Sequence, residues 1–174
     1  AENLDFGQKI DAPENQSDNE IVEKYCFEND EANCESFGGL YQWHEAMQYT
    51  TSPAAQGICP DGWHLPTDLE WLQLEIFLDP TIQPETYYWR GYNCGQQLQL
   101  GGSSGFEALL SGYWDKNEFD FISQHTETIF WTSTINPYNV VNTWFRKYAL
   151  DIPQSYRNGC DHNHAMSVRC IKNN

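Results

Sequence analysis

Towards its C-terminal end the chain carries Cys160-Asp161-His162-Asn163-His164, a run in which a thiol and two imidazoles alternate with oxygen side chains. On an extended strand Cys160, His162 and His164 share a face, and such a set leaves one further position of a tetrahedral zinc to be filled. An ordinary loop whose histidines hold no ion accounts for the same letters. Oxygen ligands gather elsewhere, between Cys26 and Cys34, where Glu28, Asn29, Asp30, Glu31 and Asn33 are types that calcium prefers. Their spacing is not that of an EF-hand, and a solvated acidic loop explains them equally. If calcium binds, Glu28, Asp30 and Asn33 are the expected ligands. No Ser/His/Asp arrangement for covalent catalysis is legible in the sequence. Carboxylates are plentiful, but nothing in the sequence pairs them as the acid and base of a glycosidase. The run Gly101-Gly102-Ser103-Ser104-Gly105 lacks the Lys-Ser/Thr and the preceding strand of a phosphate-binding loop.

Recognition chemistry is denser. The stretch 135–164 holds Asn136, Tyr138, Asn139, Tyr148, Asp151, Tyr156, Asn158, Asp161, His162, Asn163 and His164. Tyr and Asn give wide contact and adaptable hydrogen bonds at low entropy cost, which is why recognition loops use them. These residues are the expected ligand-binding set, for a protein or a glycan. Against this stands the plain reading that they are connecting residues.

Composition narrows the partners. The 174 residues fit one domain, and 40% hydrophobic with 15% aromatic residues suffices for a sizeable core. A net charge of −16 excludes nucleic acid and anionic membrane surfaces, which need clustered Lys and Arg. The acid excess lies mostly in residues 1–35. After Ile129 the basic Arg146, Lys147, Arg157, Arg169 and Lys172 outnumber Asp151 and Asp161. Six cysteines with no C-x-x-C pair read as a disulfide framework in an oxidising, extracytoplasmic setting, with many pairings open. No stretch has the length of a transmembrane helix, so no membrane insertion is expected. The start at Ala1 reads as a mature or trimmed chain whose export signal or lipid anchor lies outside it.

The elements that position these groups follow from local pattern. Cys59-Pro60-Asp61-Gly62 is a turn, and Pro66 gives the next element a sharp start. Thr67 and Glu70 have the spacing of a capping box, and Asp68 and Glu70 suit the positive end of the helix dipole. Leu69, Trp71, Leu72, Leu74 and Phe77 then form the apolar stripe of a helix over 68–78, closed by Asp79-Pro80. A second helix is expected near 43–49, with Trp43, Ala46 and Met47 facing inward. Residues 80–105, with Tyr87-Tyr88-Trp89-Arg90, read as irregular. Strands are expected at 21–27, 129–134, 143–148 and 165–171.

Gly62-Trp63-His64-Leu65-Pro66-Thr67-Asp68-Leu69-Glu70-Trp71 resembles the LPT-x-x-EW segment of formylglycine-generating-enzyme-like and C-type-lectin-like domains. The wider set is similar to the Fibrobacter succinogenes major paralogous domain. It comprises Glu23–Cys26 through Asn33-Cys34, Gly38–Trp43, Phe130–Ser133 and Ser167–Cys170, in that family's order. Phe106 to Tyr113 resembles its GF-x-ALP-GGY segment, with Leu110 and Ser111 departing from it. The resemblance implies a C-type-lectin-like fold on bacterial surface proteins and no single agreed activity. Some relatives are variable proteins of diversity-generating retroelements. That family is usually Asn-rich between the blocks matching Thr143–Arg146 and Ser167–Cys170, and Asp151, Ile152, Pro153, Tyr156, Cys160, Asp161 and His164 here, each reachable from an Asn codon by adenine changes, fit such diversification. Formylglycine-generating enzymes use a reactive cysteine pair near the last strand, but Cys170 here has a structural role in view. Cys26, Cys34, Cys59 and Cys170 lie in family blocks, whereas Cys94 and Cys160 do not. The resemblance therefore implies Cys26–Cys34, Cys59–Cys170 and, as an additional bridge, Cys94–Cys160.

The expectation is one α+β domain of C-type-lectin-like fold, its two helices packed on a small twisted antiparallel sheet and its loops stapled by disulfides. The resemblance implies an opening strand at Ala1-Glu2-Asn3-Leu4, and the termini lie close together, with Leu4 and Val168 in neighbouring strands. The expected function is a non-enzymatic extracellular or cell-surface binding or adhesion module, without cofactor unless calcium binds. A structural module of the cell envelope and a carbohydrate-active enzyme are the rivals.

Overall fold

The computed structural model describes residues 2–173 and is α+β. The acidic N-terminal part contributes two short strands, β1 (Gln8–Lys9) and β2 (Glu23–Lys24), and helix α1 (Glu31–Phe37). Strand β3 (Tyr41–Gln42) leads into the single-turn α2 (Trp43–Ala46). After β4 (Trp63–His64) comes the long helix α3 (Asp68–Leu78). The stretch that reads as irregular supplies β5 (Tyr88–Arg90) and α4 (Cys94–Leu98). The remainder is strand: β6 (Ser111–Asp115), β7 (Asp120–Gln124), β8 (Glu127–Ile135), β9 (Asn142–Ala149), β10 (Ser155–Asp161), β11 (Ala165–Met166) and β12 (Ile171–Lys172).

The main sheet has eight strands in the order β3-β11-β6-β8-β9-β10-β5, with β7 paired to β6. Its pairings are antiparallel except for β6 with β8. It is larger than the small sheet expected, and there are four α-helices among the described residues where two were expected. Alternation along β8 and β9 sends side chains to two cores. Ile129, Trp131 and Phe145 join Tyr41, Trp43, Met47 and Leu65 on one face. Phe130 and Tyr148 join Trp71, Cys94 and Leu98 under α3 and α4 on the other. On the first face two indoles fasten the layers: Trp43 Nε1 donates to the Thr132 carbonyl at 2.9 Å, and Trp131 Nε1 to that of Tyr41 at 2.7 Å.

Helix α3 begins and ends where its sequence says. Thr67 Oγ1 accepts the Glu70 N–H at 3.1 Å, and the Glu70 carboxylate takes the Thr67 N–H at 2.8 Å. The stripe that the helix buries is different from the apolar one expected. Trp71, Glu75 and Asp79, four residues apart, face inward, while Leu69 and Phe77 stand 60% and 82% exposed. Charge rather than hydrophobicity fills half the inner face, because arginines wait opposite.

The helix expected at 43–49 stops at Ala46, although Trp43, Ala46 and Met47 are buried as expected. Gln48 and Tyr49 take positive φ and turn the chain away. The closing strand at 165–171 is split into β11 and β12, with Ser167 bridging to Phe130 between them. Of the expected opening strand Ala1 lies outside the described residues. The rest runs beside the chain end without strand pairing: Leu4 N–H donates to the Val168 carbonyl at 2.8 Å.

Two disulfides form, Cys26–Cys34 and Cys59–Cys170. The expected third one does not. Cys94 and Cys160 are free thiols, since Cys94 is buried at the start of α4 in the core under that helix, while Cys160 packs against the core on the opposite face of the sheet. The Cys26–Cys34 segment is less open than a calcium loop. Asp30 is the N-cap of α1 and accepts the Ala32 N–H at 3.1 Å. Asn33 is spent as well, donating to the Phe27 carbonyl at 2.9 Å and accepting from Gln124 at 2.9 Å. Glu28 remains, held at φ 54.

Candidate recognition site

The residues expected to bind ligand do not converge. Asn136 is buried, and its side-chain oxygen accepts the Tyr138 N–H at 2.9 Å to build the β8–β9 turn. Tyr138 and Asn139 stand exposed at that tip beside Val140 and Val141. Asp151 lies in the β9–β10 turn, at the far end of β9, at φ 60. Tyr148 is fully buried in the core under α3 and touches no surface, which removes it from the binding set: it falls on the inward phase of β9.

The run at 161–164 forms a turn that is tied from both sides. His162 stacks on Trp43 at 4.3 Å between ring centres, and its Nε2 lies 2.8 Å from Thr143 Oγ1. Its Nδ1 lies 3.1 Å from Nε2 of His44, one ring donating to the other. Burial lowers both imidazoles, His162 to about 4. His164 is buried between Asp115 and Asp161, 3.7 Å from each. The turn thus breaks the shared face and sends His162 and His164 to different partners. Cys160 is closed off by burial, which drives its thiol well above its ordinary value. Neither the zinc set nor a reactive thiolate is assembled there.

Tyr156 and Asn158 do meet other recognition residues, and most of those came from outside the expected stretch. The register sets Trp89, Tyr156 and Lys147 side by side across β5, β10 and β9. Trp89 and Tyr156 pack edge to face at 5.0 Å. The Lys147 ammonium lies 5.0 Å from the Tyr156 ring centre and 3.0 Å from Glu127. Asn158 donates to the Tyr156 hydroxyl at 3.3 Å, and Tyr88 is exposed next to them. Both aromatic faces and polar tips are therefore offered from rigid strands, half open to solvent. Three aromatic letters in a row at Tyr87-Tyr88-Trp89, inside a polar segment, were the signal for this ledge.

The reverse side of the same strands is charged. Glu75 is buried, accepts from Arg146 Nε at 3.0 Å, and pairs with Arg90 and with the Ser155 hydroxyl. Asp68 accepts from Arg146 Nη1 at 2.7 Å and from Arg157 Nη2 at 2.7 Å. Burial alone would raise Asp68, but the Arg157 and Arg146 bonds and charges hold it below the ordinary carboxylate value. The Arg157 guanidinium lies 3.9 Å from the Trp144 ring centre and 5.3 Å from that of Tyr87. Tyr88, at φ 63, is strained for a bulky residue, and this kink accompanies the switch of sides between Tyr87 and Trp89.

A separate cavity of about 220 Å³ beside α3, lined by Trp71, Leu74, Phe106 and Ile171, is apolar. Its carboxylate, Glu70, is already spent on the helix cap, so few groups there could orient a ligand.

Among the described residues no helix is long and apolar enough to cross a membrane. A family model described as the Fibrobacter succinogenes major domain matches residues 1–172. No curated protein and no solved structure matches the chain.

Proposed function

The chain belongs to the Fibrobacter succinogenes major domain family, and from that premise we propose that it is a non-enzymatic recognition module working outside the cytoplasm. The observation that carries this reading is the Trp89–Tyr156–Lys147 ledge, with Asn158 and Tyr88 beside it. Its aromatic groups sit on paired strands, so little freedom is lost when a partner arrives. A glycan or an aromatic-rich protein surface fits it, since both offer apolar faces rimmed by hydrogen-bonding groups. The two disulfides support an oxidising compartment.

A C-type-lectin-like topology is part of the proposal. It is supported by the capped helix α3, the adjacent chain ends and the Cys59–Cys170 bridge between them. If a retroelement diversifies the chain, the variation belongs at Tyr138, Asn139, Tyr156, Asn158 and Asn163, because Tyr148 and His164 are buried. Sister sequences varying at 148 and 164 as freely as at 138 and 156 would contradict this.

The test is a glycan and protein array probed with the wild type and with Trp89→Ala/Tyr156→Ala. Ligands captured by the wild type and lost by the variant support the ledge. Capture that is equal for both places recognition elsewhere and ends this reading.

A further inference from the structure

The charged side of this edge does not balance. Three guanidiniums, of Arg90, Arg146 and Arg157, face two carboxylates, of Glu75 and Asp68. All three arginines are more than nine-tenths buried. Two of their N–H groups, Arg90 Nε and Arg157 Nη1, have no partner. A buried cation without its counter-charge is costly, and the cost is paid here in a protein whose net charge is −16. Arg157 is the member of this set nearest solvent. Asp68 holds its Nε and Nη2, Trp144 lies against it, and the half-buried Tyr87 closes the outer side. The chain before Tyr87 is exposed from Gln83 to Thr86, and its Pro84 and Thr86 carbonyls accept from Arg90 Nη1.

We propose that Arg157, packed on the Trp144 ring with Tyr87 against both, is the binding site for a carboxylate group of a ligand. Arg157 Nη1 donates to the incoming carboxylate, which supplies the missing negative charge. Guanidinium and carboxylate are matched in shape, and a desolvated setting strengthens their bond. Tyr87 must swing aside for Nη1 to be reached, so the free protein resists binding by the cost of that movement. The site uses the reverse side of the sheet from Trp89 and Tyr156, and it stands or falls without them.

The test is the melting temperature at pH 7 in sodium acetate against sodium chloride at equal ionic strength, since a ligand that binds only the folded state raises it saturably. Acetate should stabilise the wild type more than chloride. Arg157→Gln should weaken the acetate effect by about tenfold or more in concentration. Tyr87→Ala, a change at a half-buried ring, should move half-saturation to about threefold lower acetate, because nothing then has to be displaced. Glucuronate and N-acetylglutamate distinguish a sugar from a peptide as the bearer of the carboxylate: whichever exceeds acetate identifies the source, and neutral glucose should do nothing. Should acetate and chloride give the same curves for both the wild type and Tyr87→Ala, a water fills the place and the proposal is wrong. An acetate effect that persists in Arg157→Gln overturns it as well.

Discussion

The two faces of the main sheet are closed by opposite means. One is sealed by apolar side chains and two indole hydrogen bonds, with the Cys59–Cys170 bridge at its margin. The other combines an aromatic group around Trp71 with the ion network of Glu75, Asp68 and three arginines. Apolar packing loses energy in proportion to what is removed. An ion network fails asymmetrically, because taking one member strands the others without water or partner. The same sheet therefore has a graded side and a brittle side.

Glu75→Ala should separate them most. It leaves Arg90 and Arg146 buried without their carboxylate and should cost about 3–5 kcal/mol in urea unfolding. Replacing Glu75, Arg90 and Arg146 together by apolar residues of similar size should cost less than the single change. A single change worth under about 1 kcal/mol would erase the contrast. On the apolar side, Cys59→Ser with Cys170→Ser opens a separation of 111 residues and should cost about 5 kcal/mol, against about 2.5 kcal/mol for the 8-residue Cys26–Cys34 bridge. Equal losses in paired thermal melts would count against the chain-entropy account.

Acid should reach the two faces in turn. His162 titrates at about 4 when folded against 6.5 as a free imidazole, so below 6.5 the unfolded chain takes up a proton that the folded one refuses. Stability is full above pH 6.5 and falls as pH drops towards 4, by about 1–2 kcal/mol after allowing for solvent screening. His162→Gln should flatten that part of a urea-midpoint-against-pH curve. Asp68 and Asp79 are lowered, Asp79 to about 2, where its bonds from Thr81, Asn93 and Tyr92 outweigh burial. The Asp79 contribution is present above the ordinary carboxylate value near 3.8 and is lost as pH falls towards 2, and that of Asp68 is likewise lost as pH falls below the ordinary carboxylate value. The smallest effect belongs to Leu69→Ser and Phe77→Ser, expected within about 0.5 kcal/mol because both side chains face water.

What could be read from the letters was whatever is decided locally. The capping box and Pro66 placed the start of α3 and Asp79-Pro80 its end, and the strand composition of 129–134 and 143–148 marked β8 and β9. Two of the implied disulfides formed. What could not be read depends on partners distant in sequence. Ser155-Tyr156-Arg157-Asn158-Gly159 has no β-branched residue and looks like a loop, yet it becomes β10 because β9 and β5 flank it. Glu75 looks like a solvent-facing residue of α3 until Arg146, far along the chain, claims it. For the same reason Tyr148 looked like a recognition residue and is core, while Trp89 and Lys147 were left out of a site that only strand order assembles.

The bridge between Cys59 and Cys170 carries a consequence for a chain delivered end first. Cys26 and Cys34 emerge together and can close at once, but Cys59 must wait for nearly the whole remaining chain before its partner arrives. Two other thiols, Cys94 and Cys160, pass by in the interval. Once Cys59 is held in a mixed disulfide, either can attack it as an accessible thiolate, with the other sulfur of that disulfide leaving as the thiolate. In the folded protein burial denies both of them that state. Correct pairing is thus a race in which early seating of α4 withdraws one rival, and disulfide shuffling enzymes have Cys160 left to correct.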